Sequence, residues 1–468
     1  MTECTQNEFG FQGLGTRRVV ADFGGGEISS DGGGLLVAEV EQRRRWIGDL
    51  AGCFIDHRDP DLIEHTVEEL SAQRVMGLAL GYEDLNDHDY LRSDPLLAVM
   101  CGKQDPTGQA RRCPADRGKA LAGKSTLNRL EHGKGEEDRY KKILCDEQAV
   151  EKLFVTKFIS RRREVPGRVV LDVDATDDPL HGEQEGRFFH GYYDSYCYMP
   201  LYIFCGSELL CAKLNPSNLD AGKASLPEVE RVVEQLREAW PQVQITLRGD
   251  SGFARNELMS WCEENRVDFI VGYARNRRLQ KMIAPAMESA RQWHELTGQA
   301  ARCYMELKYC TLKSWSRQRR VVAKAEWLDK GSNPRFVVTS LSAEEFGAQV
   351  LYEDEYCGRG DMENRIKEQQ LALFADRTST ATMKANQIRL WLSSVAYCLL
   401  NDLRELGLQG TRLAKAQCTT IRTRLLKIGA QISISVRRVF IRMAHSCPFQ
   451  DVFNQALINL RSLPQGST

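Results

Sequence analysis

Apolar residues follow two different periods along this chain. From Leu35 to about Gly102 they recur at roughly helical spacing, with Leu62, Ile63, Val67, Leu70, Val75, Leu78 and Leu80 as the main run. A polar, basic connection from Gly102 to Gly123 follows. Ser125–Glu131 then reads as a helix with Ser125 or Thr126 as N-cap, and a longer helix is predicted over about Glu136–Ile159. The polar stretch Arg161-Arg162-Arg163-Glu164-Val165-Pro166-Gly167 marks a boundary, after which the period shortens. Arg168–Asp174, Tyr198–Cys205 and Glu208–Leu214 read as three successive strands. A helix over Leu226–Trp240, a strand over Val243–Asp250, a helix over Asn256–Asn265 and a strand over Val267–Tyr273 come next. Three strands followed by alternating helix and strand predict a mixed α/β sheet. From about Leu279 to Leu351 strands dominate again, at Tyr304–Tyr309, Arg320–Trp327 and Arg335–Ser340, which reads as an insertion. From Asp361 the pattern is helical, through Trp391–Leu406 to about Lys427, and ends in a β-like Gln431–Val439.

This pattern divides the 468 residues into a helical region over 1–165, a core over 166–278, a β-rich insertion over 279–351, a second core segment over 352–443 and a tail over 444–468. The formal net charge of −1 conceals an uneven distribution. Arg377–Arg442 holds 12 Lys/Arg against 2 Asp/Glu, and Arg317–Arg320 with Lys324 forms a second basic cluster. Such asymmetry points to a polyanionic partner. The 15 cysteines are scattered and form no CxxC pair, which predicts a reducing, cytoplasmic setting. No apolar run approaches the roughly 18 residues of a membrane span, so a soluble protein is expected.

The candidate chemistry lies in acidic residues. Asp172 and Asp174 are two apart in the apolar run Val169–Asp174, so their side chains share one face of a strand. Carboxylates in such a setting are costly unless a cation or hydrogen bonds satisfy them. Asp250 ends the run Val243–Asp250 and precedes Ser251-Gly252-Phe253, where a strand opens into a loop. Glu363 lies in a helix-like stretch after Tyr356 and Arg359, with Lys367 one turn further on. Carboxylates at two strand ends plus one on a later helix suit a site for two hard cations, which can clamp the attacking and leaving oxygens of a phosphodiester.

These motifs resemble those of the DDE transposases of bacterial insertion sequences. The resemblance is to the cut-and-paste branch with a tyrosine-arginine-glutamate signature and a β-rich insertion in an RNase H-like core. It rests on Asp174-Ala175-Thr176, on Gly249-Asp250-Ser251-Gly252-Phe253 and on Tyr356-x-x-Arg359-x-x-x-Glu363, and it runs from about Asp31 to Phe449. It implies Asp174, Asp250 and Glu363 as a metal-binding catalytic triad holding two Mg²⁺, with Mn²⁺ as a substitute. Asp172 is either an outer-sphere partner or itself the ligand. Tyr356, Arg359 and Lys367 are implied near DNA phosphates. Arg365, Arg377, Trp315, Arg319 and Lys124 are further DNA-contact candidates. The signature usually carries a lysine seven residues after the glutamate, and here that position is Gln370. The implied activity is cleavage and strand transfer at terminal inverted repeats of double-stranded DNA, by a homodimer in the DNA complex, in a bacterial cytoplasm and on the nucleoid when bound.

Three other readings compete. A transposase-derived DNA-binding protein without activity would keep the same fold. Asp172-Val173-Asp174-Ala175-Thr176 also matches the nucleophile motif of haloacid-dehalogenase-like phosphatases. Gly118-Lys119-Ala120-Leu121-Ala122-Gly123-Lys124-Ser125 satisfies the Walker A pattern, which works only between a buried strand and a helix. The preceding Ala110–Arg117 is too polar for such a strand. His57, His181 and His190 lack metal-ligand spacing, and Tyr192, Tyr193, Tyr196 and Tyr198 read as sheet packing.

Overall fold

The computed structural model describes residues 8–462. Residues up to 145 together with those from 395 onward form one compact unit, and 146–394 form the other. The second unit is built on a nine-stranded sheet. Its strands are β1 (Arg168–Ala175), β2 (Leu201–Cys205), β3 (Glu208–Lys213), β4 (Gln244–Gly249), β5 (Asp268–Tyr273), β6 (Ala301–Tyr309), β7 (Arg319–Leu328) and β8 (Arg335–Thr339). A two-residue strand, Gly331–Ser332, pairs with β7. The spatial order is β3-β2-β1-β4-β5-β8-β7-β6. β2 runs antiparallel to both β1 and β3, whereas β4 and β5 run parallel to β1. That order and those directions over β1–β5 are the arrangement of an RNase H-like core.

Alternation along β1 assigns its two faces. Val169, Leu171 and Val173 enter a core shared with Ile245 and Leu247 of β4 and with Val229, Val232 and Leu236. Those last three lie on the helix Ala221–Ala239. Asp172 and Asp174 therefore occupy the opposite face. The helix begins a turn and a half before Leu226 because Asp220 caps it, accepting from the Lys223 N–H at 3.1 Å. Pro227 sits inside this helix. The insertion continues the same sheet: β8 pairs antiparallel with β5, joining Val271 to Val338, and β7 and β6 follow. It also contains two helices, Arg277–Met282 and Ala284–Thr297, which the strand-rich pattern did not predict. At the other end, Ala212 O of β3 accepts from Gln387 Nε2 and Trp391 Nε1, both at 3.1 Å, so part of that edge is covered.

The other unit centres on the helix Val67–Leu80, buried at every position except Glu68 and Glu69. Thr66 and Glu69 cap it reciprocally, and Arg422 donates to Leu78 O and Ala79 O at its C-terminal end. Among the described residues before Gly32 there is no helix: Phe9–Leu14 and Arg17–Ala21 pair as a hairpin, and Glu27–Ser29 joins a sheet with β9 (Ala430–Ile434) and β10 (Val439–Met443). The predicted helix over Glu136–Ile159 is Glu147–Ser160, started by Asp146, and Val155 and Phe158 pack in the core of the second unit. The helix at Ser125 starts at Lys124 without a side-chain cap of its own, because Asp89 Oδ1 accepts the Lys124 N–H at 3.0 Å. Only a single turn, Pro114–Asp116, precedes this segment, so the Walker A pattern lacks its strand. Part of the expected tail is the helix Gln450–Ser462; residues 463–468 lie outside the described residues. No helix among the described residues is long and apolar enough to cross a membrane.

Two buried histidines make this unit sensitive to acid. His88 Nε2 lies 3.1 Å from Arg74 Nη1, which also places a cation beside it, while Arg74 pairs with buried Glu131. Burial first, then Arg74, pushes His88 down to about 3. Burial, then Lys103 and Arg111, does the same to His65. The unfolded chain binds these protons below its ordinary pKa near 6.5 and the folded chain does not. Stability is therefore full above that value and is lost as pH falls toward 3. At pH 5 the loss should be about 2 kcal/mol per histidine. Hydrogen exchange of the Val67–Leu80 amides should accelerate accordingly from pH 7 to 5 after correction for intrinsic rates; unchanged protection would contradict this.

Candidate active site

The carboxylates on the polar face of the sheet have different partners. Asp172 is 3% exposed, and its two oxygens accept from Arg248 of β4, Oδ1 from Nε at 2.5 Å and Oδ2 from Nη2 at 2.8 Å. Asp172 and Arg248 are register partners across β1 and β4, so the pair follows directly from the parallel pairing. Arg248 also donates through Nη1 to Glu355 O. This clamp joins the sheet to the chain segment that carries Tyr356 and Arg359. Gly358 makes room for it: a Cβ there would lie 2.7 Å from Arg248 Nη1. With both oxygens bound to a guanidinium, Asp172 is not poised as a phosphatase nucleophile, and β2 runs antiparallel where the dehalogenase-like fold needs a parallel neighbour.

Asp174 lies at the end of β1 with different surroundings. Burial pushes it up to about 6, with Asp250 and Glu363 adding to the rise and Arg359 and the Ala175 N–H opposing it. Asp250 follows β4 and caps a single turn, Ser251–Phe253, its Oδ1 accepting from the Gly252 N–H at 2.8 Å. Glu363 comes from the helix Gly360–Lys367. Between them stands Arg359, whose Nη1 is 3.3 Å from Asp174 Oδ2 and whose Nη2 is 2.6 Å from Glu363 Oε1. Burial alone would lower the Arg359 guanidinium; Asp174, Tyr356, Glu363 and Asp250 raise it.

The helical approach to Glu363 is irregular. Leu351–Tyr356 forms a wide π turn and Cys357–Arg359 a tight 3₁₀ turn before the α-helix resumes. Such departures recur at functional sites because they re-aim side chains. Tyr356, Arg359 and Glu363 follow at steps of three and four residues, which keeps them on one face. Gly272 of β5 accommodates the tyrosine: a Cβ there would lie 2.6 Å from the Tyr356 hydroxyl and 3.1 Å from Ser251 N.

The structure thus brings together Asp174, Asp250, Glu363, Tyr356 and Arg359, with Asp172 held behind them by Arg248. Lys367 is exposed one turn beyond Glu363, and Arg365 pairs with Glu368 at 3.4 Å. Arg377 is exposed in the loop after Phe374. Gln370, at the position of the usual lysine, donates to Asp177 O at 3.0 Å and so braces the loop after β1. Trp315 and Arg319 do not present themselves to DNA. Trp315 is 7% exposed and packs against Tyr273 and Tyr309, while Arg319 is 5% exposed and bonded to Glu263, Ser260 and Asn256. Lys124 belongs to the other unit, where its Nζ reaches Asn86 at 3.0 Å and Asp89 at 3.3 Å.

Sequence reasoning missed Arg248, whose role depends on strand register, and the two glycines. It also read Tyr193 as sheet packing. The Tyr193 ring packs on Tyr192 and His190, and burial raises its phenol to about 12, with Asp177, Asp174, Tyr192 and Asp250 contributing.

The donor set suits a hard divalent cation: three carboxylates, close enough to shift or pair with one another's partners, with a guanidinium as their present countercharge. Among the described residues no three acidic, histidine or cysteine side chains close around one point, since Arg359 stands between two of these carboxylates. Removing Arg248 should expose how much the clamp supports the site. Arg248→Ala leaves Asp172 buried without its cation and should cost about 3–5 kcal/mol in denaturant unfolding. A loss below about 1 kcal/mol, the range of a surface pair, would contradict this.

Comparison with known proteins identifies the family. The family model described as transposase DDE domain group 1 matches residues 11–465. No curated protein matches the chain. Among solved structures, a piggyBac transposase synaptic complex with hairpin DNA superposes with a TM-score of 0.39 and 11% identity, over 84% of this chain and 79% of that one. On the family match, which spans almost its full length, this chain belongs to the DDE transposases of group 1.

Proposed function

We propose that this transposase cuts double-stranded DNA at the terminal inverted repeats of its element and transfers the freed strands to a target, using Asp174, Asp250 and Glu363. The observation that carries the proposal is the grouping of these three carboxylates, from two adjacent parallel strands and one helix, around Arg359. In this reading Asp174, Asp250 and Glu363 would hold the divalent ions, and Asp172, already neutralised by Arg248, supports them from behind. When bound, Mg²⁺ or Mn²⁺ supplies positive charge to the phosphodiester and lowers the pKa of a bound water.

The side chains around the triad have their own tasks. Arg359 is shared between Asp174 and Glu363; were a divalent cation held by these carboxylates, the planar donors of Arg359 would be available to a DNA phosphate. Lys367, exposed on the next turn, adds a mobile point charge along the same backbone. Tyr356, fixed over Gly272, offers its hydroxyl beside Asp250. Arg365 and Arg377 are further phosphate contacts in this reading. Gln370 takes no part in phosphate binding, because it ties down the loop after β1. Two ends must be joined in one event, so the active species is a homodimer on DNA.

Cleavage of a duplex carrying the inverted repeats that flank the gene tests this reading. Wild type should cut at the repeat ends only with Mg²⁺ or Mn²⁺, and EDTA should stop cutting while leaving DNA bound. Asp250→Ala should reduce cutting by about 10³-fold or more with near-normal binding, the scale of losing a group that acts in the transition state. Binding by wild type without cleavage would overturn the catalytic reading, and loss of both functions in Asp250→Ala would make that residue structural.

A further inference from the structure

We propose that the hairpin β9–β10 is a DNA-reading ribbon that enters the major groove; this rests on the transposase reading and assigns a duplex contact outside the carboxylate site. The ribbon has two unlike faces. Ala430, Ile432 and Ile434 on β9 pair with Met443, Ile441 and Val439 on β10, all apolar. Gln431 pairs with Arg442 and Ser433 with Phe440, so these four project from the other side. Ala430 and Ile432 are buried, which seats the apolar face and leaves the polar one outward.

The base of the ribbon is held firmly. Gly32 N donates to Ile428 O at 2.8 Å, and a Cβ on Gly32 would lie 3.1 Å from Ala430 Cβ, so two chain segments are in close contact there. Ala444 N donates to Gly429 O at 2.7 Å across the open end. The far end is free of packing: every residue from Ser433 to Phe440 is exposed, and Val436 is fully so. Ser435 N donates to Arg438 O at 2.8 Å, closing a tight turn that carries Arg437 and Arg438 at the tip. A rigid base with an exposed, cationic tip is the form of a recognition element, not of a core hairpin.

Charge and side-chain chemistry select the partner. The chain has no Asp or Glu between Glu405 and Asp451, and among the described residues Arg437 and Arg438 make no ion pair. Arg442 lies over the Phe440 ring at 5.2 Å and donates to Ser433 Oγ at 3.2 Å, which aligns it along the outer face. Arginine can bond guanine edges bidentately, and Arg442 stands on the outer face opposite Gln431, whose Nε2 donates to Gly25 O at 3.3 Å. The major groove, about 12 Å wide, admits a two-stranded ribbon, which this hairpin is beyond Ile432, where the pairing of β9 with Glu27–Ser29 ends. Tip arginines would then meet phosphates, while Arg442 faces the base edges.

Full-length wild type, Arg437→Ala/Arg438→Ala and Arg442→Ala are compared in binding to the inverted-repeat duplex and to a scrambled duplex between 50 and 200 mM salt. The tip variant should bind both duplexes more weakly by a similar factor, with a log–log salt slope shallower by about 2, so the wild-type advantage shrinks about tenfold across that range. Arg442→Ala should reduce the preference for the repeat about tenfold while leaving scrambled binding nearly unchanged. These side chains are exposed, so unchanged thermal melting should confirm folding. If wild type binds and cuts the repeat but the tip variant keeps its salt slope, the ribbon assignment is overturned alone. If the tip variant instead alters the oligomeric state without DNA, the ribbon is a contact between copies and the assignment is likewise overturned. Failure of wild type to bind either duplex would remove the transposase reading and the ribbon proposal together.

Discussion

Like-charge repulsion among Asp174, Asp250 and Glu363 is the constraint around which the second unit is organised. A carboxylate near the sheet end, half-surrounded by apolar strands, is already expensive, and two more acidic groups nearby raise the cost. Arg359 offsets it by reaching two of them at once. The compensating cation comes from the same helical segment that supplies Glu363. This charge compensation lets three carboxylates share one end of the sheet in the folded chain.

A second ion pair, Asp172–Arg248, fixes the geometry from behind. It lies between register partners of two parallel strands, so it forms only if β1 and β4 pair as they do. Arg248 then reaches Glu355 O and positions the irregular helical turns that precede Arg359. Gly272 and Gly358 are the spaces that this arrangement requires, one for the Tyr356 hydroxyl and one for the Arg248 guanidinium. The sheet therefore sets not only its own carboxylates but also the approach of the helix opposite.

The other unit joins the beginning and the end of the chain. Arg422 satisfies carbonyls at the end of the helix Val67–Leu80, and Glu27–Ser29 completes a sheet with β9 and β10. A buried set of polar side chains, Gln73, His88, Arg74 and Glu131, specifies how its helices meet. Contacts of such long sequence separation give this unit a single arrangement and seat the basic hairpin on it.

The mixed sheet, the order of its elements and the three acidic positions were legible in the sequence because each depends on local pattern. Strand alternation sets which side chains share a face, and Asp250-Ser251-Gly252 carries its own turn signal. Helix starts were less legible where the cap came from elsewhere, as with Asp89 for Lys124. The insertion read as a separate strand-rich block, yet β8 extends the core sheet, since edge pairing is a non-local choice. Burial also reversed the apparent roles of Trp315 and Arg319, which look like surface contacts in a basic stretch but pack inside. Local periodicity and turn chemistry thus determined the sheet and its acidic residues from sequence alone. Only the tertiary structure decided which carboxylates share Arg359, which one Arg248 neutralises and which arginines remain outward, because register and burial join residues that the chain keeps far apart.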